Sequence, residues 1–196
     1  MAPTGTGKTL SPIGLCEDYH ILFVCAARHV GLSLARAAIS VHKKIAFAFG
    51  CETADGIRLH NFAAKEFTKN KKTGGIGKID NSVGDNVQIM ISDIKSFLPA
   101  MYYMLSFFAP HQLLLYWDEP TITLDSLHHD FHEIIHQNWK QNLIPNIVLS
   151  SATLPKMEEL TETIADYMFT IFQNEPSVHT IYSEDCVKSI RIVNGE

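Results

Sequence analysis

Five short apolar runs recur along the chain, at 20–26 (HILFVCA), 44–50 (KIAFAFG), 87–92 (VQIMIS), 112–119 (QLLLYWDE) and 146–153 (NIVLSSAT). Each is continuous rather than alternating, the pattern of strands covered on both faces. Between them, helical spacing predicts helices at about 28–41, 57–68, 94–108, 123–141 and 156–168. Strands alternating with helices in this way predict an α/β fold of three layers, a mostly parallel sheet with helices on both sides. The tail SVHTIYSEDCVKSIRIVN reads as one or two edge strands, and no internal repeat is visible. The greasiest stretch, LPAMYYMLSFFAPHQLLLYW, is broken by Pro99, Pro110, His111 and Gln112. It falls short of the roughly 20 clean apolar residues of a membrane span and predicts a buried helix followed by a strand.

Composition changes this picture little. A chain of 196 residues, 46% hydrophobic and 19% charged, is long enough for one domain with a sizeable core. The net charge of -5 excludes a global basic field for nucleic acid, so any such contact must be local. Residues 65–78, KEFTKNKKTGGIGK, concentrate five lysines with one glutamate and leave 11 positive against 20 negative charges elsewhere. This stretch reads as a solvated surface connection, with a local nucleic-acid contact as the other reading. Cys16, Cys25, Cys51 and Cys186 form no C-x-x-C pair, which argues against structural zinc through cysteine and for buried free thiols in a reducing compartment. The first residues are polar and glycine-rich where a secretory leader is apolar. An intracellular location, cytoplasmic or nuclear, with no membrane partner is the expectation.

Candidate chemistry begins at the first residues. MAPTGTGKTL contains Ala2-x-x-Gly5-x-Gly7-Lys8-Thr9, the phosphate-loop pattern with alanine at its first glycine. Backbone N–H groups of Thr4, Gly5, Thr6 and Gly7 can turn toward phosphate oxygens, Lys8 reaches the outer phosphates, and the Thr9 hydroxyl ligates magnesium. A helix can follow only if Pro12 falls in its first turn. Such a loop needs an acidic partner at another strand's carboxyl end, and LLLYWDEPT supplies Asp118 to hold the metal and Glu119 to activate water. The bland alternative is that Asp118 caps the helix after it.

HHDFHEIIHQ offers a competing site, because His132-Glu133-Ile134-Ile135-His136 matches the helical zinc motif of metallopeptidases, with His128 and His129 before it and Glu158 or Glu159 as a third ligand. Against it, the strand pattern NIVLSSATLP separates those glutamates from His136. Phe131, Ile134, Ile135 and Trp139 also give the helix an apolar stripe that should face the sheet and leave the histidines on its wetter side.

Taken in order, A-x-x-G-x-G-K-T at 2–9, Asp118-Glu119-Pro120-Thr121 and Ser151-Ala152-Thr153 resemble motifs I, II and III of the superfamily-two, DEAD-like helicases. The resemblance spans nearly the whole chain and corresponds to the first of that family's two RecA-like domains. It implies an ATP and magnesium site on Lys8, Thr9 and Asp118, hydrolysis through Glu119, and coupling to RNA or DNA through Ser151 and Thr153. FVCAARHVGLSLARAA stands where the family has motif Ia, which implies a nucleic-acid contact for Arg28. Departures mark a divergent branch, viral lineages included: Pro120-Thr121 replaces Ala-Asp or Ala-His, no Pro-Thr precedes Arg28, and ISDIKSFLP stands in place of motif Ib.

The family's domain carries a strand ahead of motif I, and its arginine fingers lie in a second RecA-like domain. The resemblance therefore implies the ATP-binding half of a longer ATPase, lacking the first strand, marginally stable and self-associating by itself. It also implies weak or no turnover without a second RecA-like domain or partner chain, since an arginine finger contributes about three to five decades in rate. A non-hydrolysing nucleotide- or partner-binding module is the alternative.

Overall fold

A computed structural model describes residues 7–70, 72–121, 128–152, 157–162, 164–165, 169 and 177–181. The chain forms α1 (Ser11–Leu15), β1 (His20–Cys25), α2 (Arg28–Ser40), β2 (Ile45–Ala48), β3 (Arg58–Leu59), β4 (Phe67–Lys69), β5 (Ile76–Ile79), β6 (Ile89–Asp93), α3 (Phe97–Leu105), β7 (Leu113–Asp118), α4 (Asp130–Lys140) and β8 (Asn146–Ser150). Six strands make one sheet in the order β3-β2-β6-β1-β7-β8, and β4 and β5 pair separately. Every neighbour in the large sheet is parallel except β3, which runs antiparallel to β2.

The continuous apolar runs are explained by helices on both sheet faces. Along β1, Ile21, Phe23 and Cys25 pack with Leu34, Ala35 and Ala38 of α2 and with Ile13 and Leu15 of α1. The intervening Leu22 and Val24 point the other way, toward Phe97, Ala100, Met101 and Met104 of α3 and Phe131, Ile134 and Ile135 of α4. The apolar stripe of α4 thus meets the core, and buried Asn138 ties the helix to the end of β6 by donating to the Ile94 carbonyl at 2.7 Å.

The five expected strands are present within one or two residues at most ends, although β8 stops at Ser150 and Thr153 lies outside the described residues. The helix expected at 57–68 does not form. Ile57 and Leu59 are buried at strand spacing, and β3 supplies partners to the outer edge of β2, so pairing with a distant strand overrides local helical spacing. The Lys/Gly stretch is likewise a hairpin, β4 to β5, and not an irregular connection. Most of the tail and the first part of the helix expected at 123–141 lie outside the described residues. Met157–Glu159 form a 3-10 turn within the span expected as a helix at 156–168.

Helix α2 lies unusually close to the sheet at Gly31, where an added Cβ would come 2.8 Å from Ile91 Cγ2, 3.0 Å from Phe49 Cζ and 3.2 Å from Cys25 Sγ. Gly14, also helical, has nothing within 4 Å of that position. Helix propensity alone favours alanine over glycine by up to about 1 kcal/mol at both sites. Gly31→Ala is therefore expected to lower unfolding free energy by about 1–3 kcal/mol through overpacking, while Gly14→Ala leaves it unchanged or raises it. Urea denaturation of the two variants beside the parent checks this.

Candidate functional site

Strand β7 is buried along its whole length and is paired on both sides, to β1 and to β8. It carries Asp118 to the carboxyl end of the sheet, between Cys25 and Ser150 in register. Period-two alternation sets Leu114, Tyr116 and Asp118 on one face, and Leu114 and Tyr116 belong to the cluster that Ile13 and Leu15 pack against. The turn before α1 arrives on that same face.

Gly7 adopts φ 83°, the left-handed conformation that glycine takes without a Cβ clash. Its carbonyl accepts from Leu10 N at 2.8 Å, and Lys8–Leu10 close a 3-10 turn. Pro12 then stands in the first turn of α1, where its missing N–H costs little. The buried Tyr116 hydroxyl donates to the Lys8 carbonyl at 2.8 Å and so fastens the turn to β7.

Asp118 is 6% exposed. Burial pushes its carboxyl up to about 6, the negative charge of Glu119 pushes the same way, and the Lys8 charge and the Ser150 and Thr9 hydroxyls pull it down. Lys8 and Thr9 are thus close enough to act on this carboxylate. Ser150 Oγ is buried between Asp118 and Tyr116 and acts on both.

Glu119 leaves the strand with φ 49°, a left-handed conformation that costs a non-glycine residue roughly 1–2 kcal/mol. Two contacts hold it there. Its N–H donates to the Ser150 carbonyl at 2.7 Å, and the fully buried Ser151 hydroxyl donates to Glu119 Oε2 at 2.6 Å. Thr121 Oγ1 lies 3.3 Å from Ser151 Oγ. The tips of β7 and β8 are therefore joined through Glu119, Ser151 and Thr121.

Lys8, Thr9, Asp118, Glu119 and Ser151 come together; Thr4, Gly5, Thr6 and Thr153 lie outside the described residues. Arg28 opens α2 at the same end of the sheet, exposed, with its guanidinium carbon 4.9 Å from the centre of the Phe49 ring. On α4, His136 is exposed and His132 half-buried, Glu133 accepts from Gln137 at 3.0 Å, and His129 caps the helix by accepting from Phe131 N at 3.0 Å. Among the described residues no three His, Cys, Asp or Glu side chains converge as a metal cage. Tyr116 and Ser150 are not singled out by the sequence motifs, and Thr121 enters them only as a departure from the motif II pattern. A hydroxyl-bearing residue two places before Asp118 in an aliphatic run is the one signal that points to Tyr116.

Comparison with protein-family models and with curated protein sequences finds no match. Among the described residues no helix is long and apolar enough to cross a membrane.

Two outcomes are expected. The folded carboxyl of Asp118 holds its proton more tightly than the unfolded one, from 3.8 raised to about 6, so its contribution is full below about pH 4 and is lost as pH rises through about 6. That loss is roughly 3 kcal/mol at one pH unit per 1.4 kcal/mol. Asp118→Asn should lack it, and urea denaturation without divalent cations should show the variant gaining on the parent as pH rises across this window. Tyr116→Phe, which strands the Lys8 carbonyl, should lower stability by about 1–2 kcal/mol, measurable in the same assay.

Proposed function

We propose that this chain is the ATP-binding half of a nucleic-acid-dependent ATPase of the superfamily-two, DEAD-like type, and that its α/β sheet is a RecA-like domain. The observation that carries this reading is the meeting of Lys8 and Thr9 with Asp118, beside a Glu119 held by Ser151. In this reading the turn at Gly7 receives the phosphate chain, and the Lys8 ammonium neutralises its outer oxygens. Thr9, by its hydroxyl, and Asp118, by its carboxylate through water, would hold magnesium with hard oxygen donors of the kind it takes. Magnesium, when bound, contributes charge neutralisation on the phosphates and favours the ionised form of Asp118.

Glu119 takes the proton from the attacking water. Because Oε2 accepts from Ser151, the other oxygen is left to receive it. Thr121 extends that contact to the fourth position of motif II, so the pairing of motifs II and III is kept despite the departure from Ala-Asp. Ser151 transmits between the two strand tips, and Arg28 faces the nucleic acid at the same sheet end. A second RecA-like domain or partner chain supplies the missing cation.

Equilibrium binding of a fluorescent ATP analogue with magnesium, beside phosphate release with and without RNA or DNA, tests the proposal. Lys8→Ala should weaken nucleotide binding at least tenfold. Glu119→Gln should bind within a few-fold of the parent while losing about two or more decades of phosphate release. Equal nucleotide binding by Lys8→Ala and the parent would end this reading.

A further inference from the structure

The β4–β5 hairpin carries a charge opposite to that of the rest of the chain. The stretch 65–78 holds five lysines against one glutamate, while the remainder has 11 positive and 20 negative residues. Lys65 is spent on Asp85 at 2.5 Å, and Lys71 lies outside the described residues. Lys69, Lys72 and Lys78 are exposed, and among the described residues none of them forms a salt bridge. Asp80 feels the charge of Lys78 but turns its carboxylate to Ser82 N at 2.9 Å.

The hairpin also holds these lysines in a defined frame. Asn70 Oδ1 accepts from Lys72 N at 2.9 Å, Asn70 N donates to Gly75 O at 2.7 Å, and Gly74 N donates back to Asn70 O at 2.9 Å. At the base, Asn81 accepts from Leu59 N and from the Tyr103 hydroxyl, which anchors the hairpin to β3 and α3. Phe67 pairs with Ile79 and Lys69 with Ile76, with a register shift between the two pairs, and Phe67 and Lys69 stand two places apart on β4. Ile79 packs against the core, whereas Phe67 is 40% and Ile76 49% exposed. An exposed aromatic ring among lysines on a hydrogen-bonded ribbon combines stacking with charge, the two elements of single-strand recognition.

We propose that this hairpin docks single-stranded nucleic acid, with Lys69, Lys72 and Lys78 on the phosphates and Phe67 stacked on a base. A flat anionic membrane would bring the acidic remainder of the chain against like charge, whereas one strand can follow the ribbon alone. The hairpin springs from β3, at the sheet edge away from β7 and β8, so it is separate from the Asp118 site. It goes beyond the nucleotide reading and rests on that reading only for any coupling between the two.

Fluorescence anisotropy of a labelled single-stranded oligonucleotide, RNA and DNA in turn, tests this with the full chain and no nucleotide. The combined Lys69→Gln, Lys72→Gln, Lys78→Gln variant should lose about tenfold or more in affinity, and its dependence of log affinity on log salt should be shallower by about 2 between roughly 50 and 200 mM. Phe67→Ala should weaken binding about tenfold without changing that slope, while Lys140→Gln, on exposed α4 surface, should change neither. Unchanged melting of the variants shows that the ribbon still folds. Triple-variant binding with the parent's affinity and slope would overturn the proposal. So would a parent chain that ignores the oligonucleotide at low salt and binds phosphatidylserine vesicles. ATP binding is measured separately, so failure here leaves the nucleotide reading standing, and the reverse holds too.

Discussion

Six consecutive buried residues in β7, paired on both sides, oblige every backbone N–H and C=O along Leu113–Asp118 to find a partner in β1 or β8, since unpaired groups would cost a lost hydrogen bond each in the interior. That double pairing fixes register, and register fixes chemistry. It sets Asp118 opposite Ser150 and brings Ser151 within hydrogen-bond distance of Glu119. It also turns the Tyr116 hydroxyl to the backbone of Lys8. The candidate site is a by-product of how the middle of the sheet is satisfied.

The same burial makes the site electrostatically tense. A carboxylate with so little access to water is raised well above the usual aspartate range, and a second carboxylate beside it adds to the shift. Glu119 is displaced from the strand direction by its left-handed backbone and is restrained at both its amide and its side chain. Strain of this type persists only where surrounding structure over-determines it, and it concentrates at functional positions.

Much of the large sheet was legible because strands covered on both faces are written as unbroken apolar runs, which needs no knowledge of neighbours. Residues 57–68 were misread for the opposite reason. Their spacing suits a helix, but the deciding partner is the free edge of β2, which local pattern does not contain. The ribbon at 67–79 was legible only as charge, because its turn depends on Asn70 bonding across to Gly75. At the site, Lys8, Thr9, Asp118, Glu119 and Ser151 could be picked out by residue type and order. Tyr116 and Ser150 could not, since each matters through a cross-strand neighbour that spacing along the chain does not reveal, and the Thr121 contact to Ser151 stood against the expectation set by its departure from the motif.

The raised carboxyl of Asp118 has a consequence for the magnesium proposed for that corner. At neutral pH a carboxyl raised to about 6 still carries a proton in a small fraction of molecules, and in a larger fraction as the solution becomes mildly acidic. In the proposed reading a cation arriving there would evict that proton to solvent, so occupancy and acidity would be thermodynamically linked, with acid release on loading and weaker loading in acid.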